Sequence, residues 1–306
     1  MSTALLFAQL LNGLQYGVML FLLAAGLTLV FGIMSFVNLA HGSLYMLGAY
    51  AAAAVGGRTG SFALAVGAAL LTGLVVGLLL EKIAVARLYR RDHLDHVLAT
   101  FGLVLFFNEV VRMIWGPQPV FVALPEALSG TVDLFGFTYP SYRFLIIVVG
   151  LAVAAGSQWL IHGTRVGMLI RAGSVNPQMV GALGVNIGAL NAMLFALGAM
   201  LAALAGAMAG PILSVQSGMG EPVLIATLVV IVIGGIGSVR GALYAGIIVG
   251  LVDTLGRTFL PLLLRTVAER EVANAAGPAL ASMLIYMLMA AVLAWRPDGL
   301  FPAHKV

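Results

Sequence analysis

Arg165, Arg171, Gln178, Gly181 and Gly184 share one polar break, Gly163 to Asn186, with long apolar runs on both sides. Besides its two arginines the break holds a turn pair, Asn176-Pro177, and a short helix-like piece from Gln178 to Val185. Asn before Pro is a helix-start signal, and Gly184 is a stop signal. A short helix of this kind, lying outside lipid, suits the groove of a soluble partner. The chemistry on offer is docking; the plain alternative is an ordinary connection between two helices.

Asn38 and His41 flank a Leu-Ala pair near the break between the first two apolar runs. Polar groups at membrane depth are costly unless they face a cavity or a partner. The pair therefore reads as the lining of a transport path or as a pin for a broken helix. The nearer reading for Asn38 is the N-cap of the second span. Gly234, Gly235 and Gly237 put three glycines into four residues. That is a poor helix interior and suits a break where backbone meets a cavity or another helix, here taken as part of the same path. Glu109 and Arg112 are three apart, on one helix face, and are expected to pair.

What is missing narrows the function further. The only lysines are Lys82 and Lys305, and neither follows glycine, so there is no GxxxxGK[ST] phosphate loop. No intramembrane carboxylate pair or acid chain of the kind used in proton relays is visible. HExxH and GxSxG are absent, so no catalytic or metal-ligating set emerges. Cysteine is also absent, which removes thiol catalysis and disulfides. A membrane bundle without an energy source of its own is expected to be driven by a partner.

These residues must be positioned by membrane helices. The 306 residues are 62% hydrophobic and 8% charged, with a mean hydropathy of +1.10; soluble chains carry roughly 25% charged residues. Each span needs about 20 apolar residues. Apolar runs are read at 4–34, 43–55, 62–80, 96–115, 143–161, 188–213, 222–236, 242–256 and 278–295. The expected fold is all-α, a polytopic transmembrane helix bundle of eight to nine spans, one domain over 1–306. Residues 257–276 are expected to form an amphipathic surface helix. Small residues four apart, such as Gly13/Gly17 and Gly246/Gly250, mark close helix packing. Gly42-Ser-Leu-Tyr45 is echoed by Gly241-Ala-Leu-Tyr244, four matches that are weak ground for a repeat in a chain this rich in Gly, Ala and Leu. Lys82, Arg87, Arg90, Arg91, Arg165, Arg171, Arg296 and Lys305 place their loops in the cytoplasm, with the N-terminus outside. The net charge of +4 reflects those loops and implies no nucleic-acid partner.

An ordered set of short matches runs over nearly the whole chain. It comprises Gly13-Leu-Gln-Tyr-Gly17, Ala25 to Met34, Asn38-Leu-Ala-His-Gly42 with Met46 to Tyr50, Thr164-Arg-Val-Gly167 with Arg171-Ala172, and Gly181 to Asn186. Ala202 to Pro211, Ile233 to Ser238 and Arg296 to Phe301 complete it. Together these resemble LivH-type permeases of branched-chain amino acid ABC importers. The resemblance implies a multi-pass permease subunit of the bacterial inner membrane, not an enzyme, in which Arg171 to Gly184 is the cytoplasmic coupling helix and its flank. It implies a second related permease, two ATP-binding subunits that hold the ATP and Mg, and a periplasmic substrate-binding protein. This chain itself would bind no cofactor. Gln178 stands where such loops are expected to carry an acidic residue, and Pro302 where the family often has glycine. Relatives of this kind move leucine-type amino acids, urea, short amides or aromatic acids. The reading from a different class is a self-contained channel or secondary carrier for a small neutral solute.

Overall fold

The structure is a computed structural model, and it describes residues 3–34, 36, 38–89, 91–134, 136–266 and 269–302. Arg90 and Lys305, two of the charges used above to orient the chain, lie outside the described residues. In lipid only helices and closed barrels satisfy every backbone N–H and C=O, and this chain takes the helical solution. The helices are α1 (Thr3–Met34), α2 (His41–Thr59), α3 (Phe62–Leu80), α4 (Ala86–Leu88), α5 (His93–Trp115) and α6 (Ser141–Gly163). They continue with α7 (Arg165–Val175), α8 (Pro177–Ala182), α9 (Ile187–Ala209), α10 (Gly220–Gly234), α11 (Val239–Leu264) and α12 (Arg270–Trp295). A π-helical turn, Glu81–Val85, joins α3 to α4. Among the described residues, seven helical stretches are long and apolar enough to cross a membrane. They are Leu5–Gly32, Phe62–Leu88, His93–Trp115, Ser141–Gly163, Ile187–Ala209, Val239–Leu264 and Arg270–Trp295. The expected eight to nine spans would add α2 and α10. Between α5 and α6 a small antiparallel ribbon, β1 (Thr131–Leu134) and β2 (Phe137–Pro140), adds a feature that the apolar pattern did not announce.

Two helices form the axis of the bundle. The apolar window of α1 is 83% buried and that of α9 is 72% buried, against 17–28% for the other five long spans. Both are contacted through small residues, the packing device of helices in lipid. Gly13 and Gly17 of α1 lie on Leu251 and Gly246 of α11, and Gly26 lies on Gly198 of α9. Gly73 of α3 meets Ala199, and a Cβ on Gly206 would collide with the Tyr45 carbonyl of α2.

These contacts set the chain directions. Gly13 meets Leu251 while Gly32 meets Gly237, so α1 and α11 are antiparallel. Met34 packs with Leu190 and Leu194 while Gly26 meets Gly198, so α1 and α9 are antiparallel too. The bundle thus has a base, with Met34, Gly237 and α7, and a crown. At the crown the start of α1 meets the ribbon: Asn12 Oδ1 accepts from Tyr139 (3.2 Å) and Arg143 (2.6 Å). Burial pushes the Tyr139 hydroxyl up to about 12, so it stays a donor there. Lys82, Arg87, Arg91, Arg165, Arg171 and Arg296 all belong to base segments.

Residues 257–276 do not form a separate surface helix. α11 runs on through Pro261 to Leu264, and α12 starts at Arg270. Glu269, Arg270 and Glu271 are exposed, while Arg257 and Arg265 are bonded within α11 and across to α12. Arg257 Nε donates to Asp253 (2.8 Å) and its Nη2 to Ser282 (2.9 Å), while Arg265 donates to Asn274 (2.9 Å). Pro261 packs its ring over Gly277, the one residue type there without a side chain to clash.

Candidate functional site

At the base, Thr164 ends α6 and caps α7, accepting from Gly167 N at 3.0 Å. Gly167 rests on the carbonyls of Leu160 and Ile161, so α7 folds back tightly against the end of α6. Arg165 is exposed, and Arg171 donates from Nη1 to the Ile161 carbonyl. Asn176 then caps α8, its Oδ1 accepting from Met179 N at 2.9 Å, with Pro177 in the first turn. Gly184 closes the helix at φ 89°, a left-handed turn that favours glycine, and donates to Gly181 O at 3.0 Å. The start and stop signals read in the sequence act as expected.

Only one side of this segment is held. Ile170 joins Leu190 and Leu194 with Met34 packed against them, and Val180 is buried. On the other side Met168, Val175, Met179 and Leu183 are exposed, Leu183 at 79%. Gln178 and Gly181 are exposed among them. This is an apolar patch with arginines beside it, carried on two capped helices outside the spans.

Asn38 and His41 lie at a break inside the bundle. α1 ends at Met34, and Phe36 and Asn38 are not helical. α2 begins at His41, whose Nε2 lies 3.2 Å from the carbonyl of Leu23, well inside α1. α2 therefore starts within the membrane thickness. His41 is 1% exposed, and this contact ties the start of α2 to α1. Asn38 is not the N-cap: that position is Ala40, which offers no side-chain bond. Asn38 is 2% exposed, and neither side-chain atom has a hydrogen-bond partner among the described residues.

A mirrored break follows α9. The chain turns back after Ala209, bridges Val215 to Val120, and starts α10 at Gly220. A Cβ on Gly220 would collide with the carbonyl of Gly42, so α2 and α10 start against each other inside the bundle. α2 runs to the crown and α10 to the base. α1-break-α2 and α9-break-α10 thus repeat one device in opposite directions, the inverted arrangement common in transporters. The four-residue echo joins the first turns of α2 and α11, which are not the mirrored helices.

Gly234, Gly235 and Gly237 end α10 at the base, with φ 100° at Gly235 and 83° at Gly237. What meets this backbone is the chain's own tail and α11. Leu300 N donates to Ile233 O (2.8 Å) and Phe301 N to Gly234 O (3.0 Å), while Gly234 abuts Gly241. The expected ion pair is present, Arg112 to Glu109 at 3.0 Å, exposed at the crown.

One cluster was not assembled from the sequence. Asn108 of α5 donates from Nδ2 to Glu221 Oε1 (2.6 Å) and accepts at Oδ1 from Gly218 N (3.2 Å). Ser217 Oγ donates to the Asn108 carbonyl at 3.2 Å. The clamp holds the turn before α10 against α5. The only available signal was a pair of polar residues in apolar surroundings, far apart in the chain.

The family described as branched-chain amino acid transport system / permease component matches residues 9–293. The chain is 29% identical to the high-affinity branched-chain amino acid transport system permease protein BraD of Pseudomonas aeruginosa, over 97% of this chain and 96% of that protein. It is 28% identical to the corresponding LivH of Escherichia coli, over 82% and 86%. A probable branched-chain amino acid transport permease protein LivH of Methanocaldococcus jannaschii is 26% identical over 78% of each chain. No solved structure matches.

Proposed function

The chain belongs to the branched-chain amino acid transport permease family, and from that premise we propose that it is the membrane-spanning subunit of an ABC importer for branched-chain or other hydrophobic amino acids. It is a multi-pass membrane protein, and its relatives are permeases. In this reading residues 1–306 form one permease domain of nine spans, α2 and α10 being the two broken ones, in a bacterial inner membrane with the base in the cytoplasm. A second related permease completes the pathway, a periplasmic binding protein delivers substrate at the crown, and two ATP-binding subunits hold ATP and Mg.

The observation that carries the reading is the docked-on-one-side, open-on-the-other build of α7 and α8. Met168, Val175, Met179 and Leu183 face outward from a segment beyond the spans, with Arg165 and Gln178 also exposed. An exposed apolar patch of this kind marks a protein contact. Arg165, Arg171, Gln178, Gly181 and Gly184 are then the coupling residues. ATP-driven closure of the partners pushes on α8, and the push reaches α1 and α9 through Ile170, Leu190 and Met34. The path runs past the break at Asn38 and His41 and reaches the base beside Gly234, Gly235 and Gly237.

The test is uptake of leucine into vesicles holding this chain with its binding protein, second permease and ATP-binding subunits. Uptake that needs all components and ATP is the expected result. Passive or gradient-driven flux through this chain alone would favour the channel or carrier instead.

A further inference from the structure

Glu221 is a carboxylate with no cation. It lies in the first turn of α10, and that helix, with 15 residues, is about 22 Å long. Since α10 ends at the base, Glu221 lies at the far end of that helix, beside Asn108 and level with the exposed Glu109–Arg112 pair of α5. Asn108 satisfies Oε1, while Oε2 is buried without a hydrogen bond. The two ion pairs among the described residues, Arg112–Glu109 and Arg257–Asp253, do not include it. The N-terminus of α10 offsets part of the cost of the charge, but a buried carboxylate oxygen without a partner still carries a desolvation cost.

A second observation points to the same place. Asn38 stands just before α2, whose Gly42 abuts Gly220, the neighbour of Glu221. Asn38 is 2% exposed, and neither atom of its amide has a hydrogen-bond partner among the described residues. Thr28 Oγ1 on α1 is likewise buried and unpartnered. A buried polar group without a partner costs about 1–3 kcal/mol, so Asn38 is a donor and acceptor held in reserve. Glu221 lies near the surface of the chain, with its neighbours Pro222 and Ile225 exposed, so its Oε2 would be uncovered only when the starts of α2 and α10 part.

We propose that Glu221 holds the cationic amino group of the substrate in transit, with the Asn38 amide taking a polar atom of the same head group when the starts of α2 and α10 part. This rests on the importer reading and narrows it. A site with a lone carboxylate favours α-amino acids over urea, short amides or aromatic acids, which bring no ammonium.

The experiment uses the complete transporter in vesicles, measuring leucine uptake and ATP hydrolysis together. Glu221→Gln keeps the size and the bond from Asn108 but loses the charge. Its uptake per ATP hydrolysed is expected to fall at least about tenfold, the value of one charge-assisted hydrogen bond. Glu221→Asp keeps the charge and is expected to stay within about threefold of the parent, a shift under 1 kcal/mol. Wild-type coupling in Glu221→Gln, equal impairment of the two variants, or a parallel loss of uptake and hydrolysis would each overturn the proposal. Failure of the unaltered transporter to import leucine would instead strike at the importer reading.

Discussion

The handle at the base and the double break at the centre are built on opposite principles. The handle is two short helices, each capped by a side chain, Thr164 and Asn176, and exposed along one side. The centre is closed by backbone against backbone, Gly42 on Gly220, with its polar side chains buried. The handle is tied to the bundle on one side through Ile170, Leu190 and Met34 and is open on the other. The centre cannot move without parting two helix starts, so in the proposed importer the handle would receive a force and the centre would yield to it.

The largest effect that would break this contrast lies in the centre. Gly206→Val puts a branched side chain onto the Tyr45 carbonyl. Overpacking typically costs about 1–3 kcal/mol and more where only backbone can give way. The expected outcome is loss of folded protein in the membrane fraction, read by size-exclusion of the detergent extract. A normal yield would show the centre to be looser than described.

Next is Gly184→Pro. It removes the N–H that donates to Gly181 and forbids the positive φ. Membrane level is expected to be unchanged while ATP-driven uptake falls at least about tenfold, more than 1.4 kcal/mol of lost coupling. Normal uptake would end the coupling role of the handle.

Leu183→Ser should be milder. It takes an exposed leucine from the outer patch, with about 1.5–3 kcal/mol of burial available at an interface. Co-purification with the ATP-binding subunits is expected to weaken roughly tenfold, with folding unaffected. Asn176→Ala is the smallest. Loss of an N-cap costs about 1 kcal/mol, expected as faster proteolysis or hydrogen exchange across α8 with the spans unchanged.

The handle was legible in the sequence because its signals are local. Asn176-Pro177 starts α8 and Gly184 stops it whatever surrounds them. The all-helical bundle was legible for a similar reason, since apolar runs in lipid have few other options. The centre was only half legible. Asn38 and His41 were seen as polar residues at a break, but the capping rule misplaced Asn38, because the turn is set by His41 reaching Leu23 across the bundle. Asn108 and Glu221 meet over a long stretch of chain, and no local pattern joins them. Residues 257–276 misled for the converse reason. Arg257, Arg265 and Asn274 look solvated one by one, but Arg257 bonds to Asp253 and Ser282 and Arg265 bonds to Asn274.

The tail crossing at the base has a consequence for watching the molecule work. Leu300 and Phe301 give their amide hydrogens to the last carbonyls of α10, so those two hydrogens are locked only while the helix end stays put. In heavy water they mark that end of α10: any motion that shifts it would expose them, so their replacement by deuterium is expected to quicken with the share of time the end is displaced.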